Sequence, residues 1–136
     1  MLKKSAISLA MFALVVTAAH AEDSPDQVVA RHIAAFDKHD WTAIMLDYAD
    51  DVVALLPDRP VVGKPALLAF FQSIDKRPSA VVFQVKQLKA EGDVGSTEWI
   101  ANPGAPGAVK GRDVFIVRNG KIVFQGSVGV GPAAAP

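Results

Sequence analysis

Two polar side chains stand out because of the neighbours the sequence gives them. His32 shares a helical stripe with Val29, Ile33 and Phe36, so a helix here carries its imidazole inward. Asp113 alternates with Phe115 and Val117, so a strand here turns its carboxyl toward an apolar face. An inward imidazole can donate a hydrogen bond or exchange a proton near neutral pH. An inward carboxyl is costly unless it is paired or protonated, and in either state it can orient a polar ligand or a neighbouring imidazole. Each residue also has a structural reading. His32 could be a core histidine bonded to a backbone carbonyl, and Asp113 could be a strand-end residue reaching solvent beside Arg112.

The remaining candidates are weaker. Asp50 and Asp51 are adjacent at a helix end, where neighbouring side chains diverge, so they read as a structural junction. Asp58 follows Pro57 in turn chemistry and reads as solvated. His39 stands beside Asp40 and reads as exposed; His32 and His39 are not at ligand spacing, so no metal site is expected. Trp99 alternates with Thr97 and fits either a pocket wall or a dimer face. There is no cysteine, which excludes thiolate metal sites and cysteine nucleophiles. No nucleophile elbow, phosphate loop or dinucleotide fingerprint is present, and no cofactor is expected.

These residues must be positioned by a chain of 136 residues whose first segment is best read as an export signal. Lys3 and Lys4 precede an apolar run from Ala6 to Val16, and Ala19-His20-Ala21 supplies a cleavage site. Residues 1–21 are thus expected to be a cleaved signal peptide, which implies a periplasmic or secreted protein with no membrane attachment afterwards. Removing Lys3 and Lys4 from 14 basic residues leaves twelve against 14 acidic ones, no electrostatic case for nucleic acid. Residues 22–129 are enough for one domain, and the Gly-, Pro- and Ala-rich residues 130–136 are expected to be a disordered tail.

Within that domain Ser24-Pro25-Asp26-Gln27 starts a helix that ends near Lys38 or His39. Asp40 caps a second helix with Trp41, Ile44, Met45 and Tyr48 on one stripe. Val52 to Leu56 and Val61-Val62 form a short hairpin, and Gly63-Lys64-Pro65 opens a helix with Leu67, Phe70, Phe71 and Ile74 inward. The period then becomes two. Leu88 falls on the face of Gln84 and Lys86 rather than that of Phe83 and Val85, which predicts a bulge or a strand end. Val94 to Ala101, Arg112 to Arg118 and Lys121 to Val128 complete four longer antiparallel strands, the last pair joined at Asn119-Gly120. Three helices and then four strands argue an α+β fold with helices on one sheet face.

The stretch from Val28 to Ile74 resembles the amino-terminal half of SnoaL-like and ketosteroid-isomerase-like proteins of the nuclear-transport-factor-2-like superfamily. The resemblance rests on Ile33-Ala34-Ala35-Phe36, on Tyr48-Ala49-Asp50-Asp51-Val52 and on Val62-Gly63-Lys64-Pro65-Ala66-Leu67. Arg112-Asp113-Val114-Phe115 through Asn119-Gly120-Lys121-Ile122 resembles the closing hairpin. The resemblance implies a curved antiparallel sheet wrapped with three helices into a cone that takes a small apolar molecule. It places His32 where isomerase-like members carry an oxyanion-binding tyrosine, and Asp113 at the second, protonated oxyanion donor. It places Leu56 where those members carry a carboxylate general base, which a leucine cannot replace. The expected pocket is lined by Phe36, Tyr48, Leu56, Phe70, Trp99 and Phe115, with His32 and Asp113 as its polar groups. Three functions fit: a small-molecule binder, a cofactor-independent isomerase or lyase using His32 and Asp113, or a non-enzymatic interaction module. A homodimer through the outer sheet face, where Val114 and Ile116 lie between Arg112 and Arg118, is compatible with each.

Overall fold

A computed structural model describes residues 22–76 and 81–133. The expected leader at 1–21 lies outside the described residues, as do residues 134–136 of the expected tail. The elements follow in the order α1 (Pro25–Asp37), α2 (Trp41–Asp47), β1 (Tyr48–Leu55), β2 (Pro60–Val62), α3 (Lys64–Ile74), β3 (Phe83–Glu91), β4 (Val94–Ala101), β5 (Val109–Arg118) and β6 (Lys121–Pro132). No helix among the described residues is long and apolar enough to cross a membrane.

Local chemistry explains the boundaries. Gln27 Oε1 accepts from the Ser24 N–H at 3.0 Å and closes the start of α1, with Pro25 at its first position. The Asp40 carboxylate accepts from the Ala43 N–H at 3.0 Å and caps α2. Asn119 and Gly120 both adopt left-handed backbone, at φ 51° and 66°, the geometry of a tight two-residue hairpin.

The six strands form one sheet in the order β2-β1-β6-β5-β4-β3. Neighbours are antiparallel except β1 and β6, which run parallel, so the sheet is mixed rather than wholly antiparallel as expected. The sheet curves without closing, and α1 crosses β3, β4 and β5 on its inner face. Gly95 makes that seat possible: a Cβ there would lie 2.7 Å from Val29 Cγ2 of α1. Val28, Val29, Ile44, Tyr48, Val52, Leu67, Phe115 and Ile122 form the sealed core beneath. The bulge predicted near Leu88 falls between Val85 and Gln87, and it returns Leu88 to the inner face opposite Thr97.

Three expectations change. Tyr48 opens β1 instead of closing the second helix, and Asp50 and Asp51 are strand residues, Asp50 pairing with Lys64 at 3.1 Å. The second helix is short because its stripe and the first inward position of β1 coincide at Tyr48. β5 starts three residues before the expected Arg112. β6 runs to Pro132, where it pairs with Val109, so ordered structure extends into the segment expected as a tail from residue 130.

Candidate functional site

Between α1, α3 and the inner face of the sheet lies a cavity of about 490 Å³. α1 contributes His32, Ile33 and Phe36; α3 contributes Phe70, Phe71 and Ile74; Leu56, just past the end of β1, joins them, followed by Pro57 and Asp58. Strands β3 to β6 supply the facing wall. Of the eight residues expected at the site, seven line this cavity: His32, Asp113, Phe36, Leu56, Phe70, Trp99 and Phe115. Tyr48 does not. It is fully buried behind the wall, because as the first residue of β1 it faces the core rather than the open end. Asp58, expected to be solvated, is exposed and stands at the cavity edge.

Strand register arranges the wall in rows. Thr97 of β4 pairs with Asp113 of β5, which pairs with Ser127 of β6, and these three make a polar row. One step deeper lie Phe115 and its partner Gln125. One step outward, Trp99 faces Gly111, and a Cβ on Gly111 would lie 2.5 Å from the indole. Glycine there lets the indole lie across β5, and Phe83 meets it edge-on at 5.7 Å. Trp99 thus lines the cavity, one of the two placements that alternation allowed.

Asp113 is half-buried, and Ser127 Oγ donates to its Oδ1 at 2.7 Å. Burial raises its pKa above the ordinary carboxylate value; Ser127, Trp99 and Gln125 act the other way by favouring the anion. The Trp99 Nε1 proton is nevertheless buried without a hydrogen-bond partner among the described residues. Tyr48 donates its hydroxyl to Gln125 Oε1, so the residue expected to line the cavity instead supports its wall from behind. Burial first, then the charges of Asp113 and Asp47, hold the Tyr48 phenol protonated well above its usual range.

His32 is 4% exposed and packed among Phe115, Tyr48 and Phe71, with ring centroids 5.2, 5.5 and 6.3 Å away. Its Nδ1 is sealed and has no partner among the described residues, so the expected carbonyl-bonded core histidine is not what forms at that nitrogen. Burial lowers its pKa to about 4, which makes it a neutral imidazole at pH 7. His32 and Asp113 share the cavity from its helical and sheet walls.

Gln125 and Ser127 escaped the sequence reading. Their alternation along β6 was the available signal, but two short polar residues in a strand are ordinary on a solvated face. Elsewhere, His39 pairs with Asp75 at 2.5 Å and lies away from the cavity, and no group of three or more His, Cys, Asp or Glu among the described residues could hold a metal.

A model of the SnoaL-like domain matches residues 29–125. No curated protein matches the chain. Among solved structures, a candidate ketosteroid isomerase from Kribbella flavida is similar at 18% identity and TM-score 0.70, covering 82% of this chain and 81% of its own. An NTF-2-like protein of unknown function from Burkholderia xenovorans is similar at 23% identity and TM-score 0.67, covering 82% and 87%. A candidate polyketide cyclase from Xanthomonas campestris is similar at 21% identity and TM-score 0.64, covering 76% and 87%. At these identities the structures share the fold, and their differing names carry no single activity across. With most of the domain matched by the family model and the cone recovered from strand register, the chain belongs to the SnoaL-like domain family of the NTF2-like superfamily.

Proposed function

We propose that this protein binds a small, largely apolar molecule in its cone, in the periplasm or outside the cell. The observation that carries the reading is the cavity itself: about 490 Å³, walled by aromatic rings and crossed by one polar row. Pockets of that size with a few convergent polar groups are the common form of small-molecule site. The apolar body of a ligand fits against Phe36, Phe70, Phe83 and Phe115, and its polar end meets Asp113 and Ser127. Titration calorimetry with a library of neutral, acidic and basic bicyclic compounds tests this. Binding by some members, abolished by Ala101→Phe, which projects a ring into the cavity, is the expected result. No binding by any member overturns it.

A cofactor-independent isomerase or lyase is the second reading. It is favoured by His32, which is unprotonated at pH 7 and so able to take a proton. Against it stands Leu56, which brings no carboxylate to the cavity from β1. Deuterium incorporation from heavy water into a bound ketone, lost in His32→Phe, is its signature.

Export and self-association belong to the same proposal. Cleavage after Ala21 leaves Glu22 as the first residue, which the mass of the purified chain reads directly. On the outer face, Val94, Ile116, Phe124, Val53 and Val62 follow one another across five strands as register partners, next to Val114. A monomer mass by light scattering at working concentration removes the homodimer.

A further inference from the structure

Asp113 is held by one side-chain donor: Ser127 Oγ donates to its Oδ1 at 2.7 Å, while Gln125 and Trp99 line the same wall of the cavity. The orientation of Gln125 is set from behind: the buried Tyr48 hydroxyl donates to Oε1, which leaves the amide NH₂ for the Asp113 side. In this arrangement Asp113 is the acceptor of the Ser127 hydroxyl.

The counter-charge is missing. Among the described residues lining the cavity there is no lysine or arginine. The other charged side chain at its edge is Asp58, a second acid, and His32 is neutral at pH 7. A carboxylate taken partly out of water without a cation is unfavourable, and burial acts on Asp113 in that sense. A ligand bearing a positive charge would relieve it. The rest of the wall suits such a ligand, because the faces of Phe36, Phe70, Phe83, Phe115 and Trp99 attract cations as well as apolar bodies.

We infer that the cavity selects lipophilic organic cations: an ammonium head placed on Asp113, carried on an aromatic or alicyclic body that lies along the aromatic wall. The inference rests on the proposed small-molecule function and names the ligand class for that site. It differs from a carbonyl ligand, which would need Asp113 as a donor.

Calorimetry at pH 7 with matched probes separates the possibilities: 2-naphthylmethylamine, 2-naphthylmethanol, 2-acetylnaphthalene and 2-naphthylmethyl-trimethylammonium. The amine is expected to bind at least tenfold more tightly than the alcohol or the ketone. Asp113→Asn, which keeps the side chain's size and removes its charge, should abolish that advantage, lowering the amine's affinity at least tenfold more than the alcohol's. The quaternary probe extends the test within the unaltered protein: its fixed charge should place it with the amine rather than with the neutral probes. Ketone or alcohol binding tighter than both cations overturns the cation class while leaving the cavity reading intact, as does an amine affinity that Asp113→Asn does not change. Failure of all four probes, together with failure of the wider library, overturns both.

Discussion

Replacing His32 with Phe should make the protein less sensitive to acid, and the size of the effect follows from burial. In the unfolded chain the imidazole titrates near 6.5; in the folded protein it titrates at about 4, because charging it among Tyr48, Phe71 and Phe115 means charging it out of water. Between these values the unfolded chain binds the proton and the folded chain does not, so stability falls as pH drops from about 6.5 to about 4. An interval of about 2.5 pH units at about 1.4 kcal/mol each amounts to about 3.5 kcal/mol, of which about 3 kcal/mol is lost by pH 4, where the folded group is itself half protonated. The Phe variant has no proton to bind and should lack that component. Urea unfolding followed by tryptophan fluorescence from pH 7 to pH 4 measures it: the free-energy gap between variant and parent should move by about 3 kcal/mol in favour of the variant. At pH 7 the substitution should cost little, because Nδ1 has no partner to strand and a phenyl ring fits the same aromatic cluster. Parallel pH curves, or a loss at pH 7 above about 2 kcal/mol, would refute the picture of a sealed neutral imidazole.

Three further outcomes are expected. Asp113→Asn should gain stability relative to the parent as pH rises above 3.8: a carboxyl whose folded pKa is raised stabilises most at low pH and loses that contribution through its folded pKa, as urea titrations at pH 4 and pH 7 will read. Gly111→Ala should displace the Trp99 indole from β5 and cost about 1–3 kcal/mol, with a red shift in tryptophan emission; an unchanged spectrum and melting temperature would show that the close approach is not maintained. Arg31→Met should destabilise by about 3 kcal/mol in chemical denaturation, because Asp47 is 1% exposed, its Oδ1 takes Arg31 Nε at 2.7 Å, and its Oδ2 is already without a partner among the described residues.

Much of this architecture could be read from local chemistry. Ser24 to Gln27, Asp40, Gly63-Lys64-Pro65 and Asn119-Gly120 are start and turn signals that act within a few residues, and each marks an observed boundary. The misplaced phase of Leu88 announced the bulge that restores it to the inner face. What failed depended on partners distant in sequence. Tyr48 satisfies both the helical stripe before it and the strand alternation after it, and only its contact with Gln125, 77 residues away, decides that it belongs to the core. Val130 to Pro132 has the composition of a loose tail, yet the pairing of Gly131 and Pro132 with Lys110 and Val109 holds it in the sheet. The polar row was hidden for the same reason: Asp113 could be read as inward, but nothing local joins it to Thr97 on one side and Ser127 on the other.

The buried position of Tyr48 bears on what the site does. Tyr48 anchors the Gln125 amide from the core, and strand pairing sets Ser127 beside Asp113, so this part of the wall is fixed by the fold. For the proposed binding, a wall fixed in advance would spare the cost of assembling it, which is how preorganised sites gain affinity and selectivity. Proton transfer asks for more: a base within reach of the reacting atom, held by a group that responds when it becomes charged. His32 lacks that support at Nδ1, and burial opposes its charged form. Leu56, just past the end of β1, adds no carboxylate. The proposed binding asks only for groups that the cavity presents, whereas the isomerase or lyase reading asks His32 to carry a charge that burial opposes.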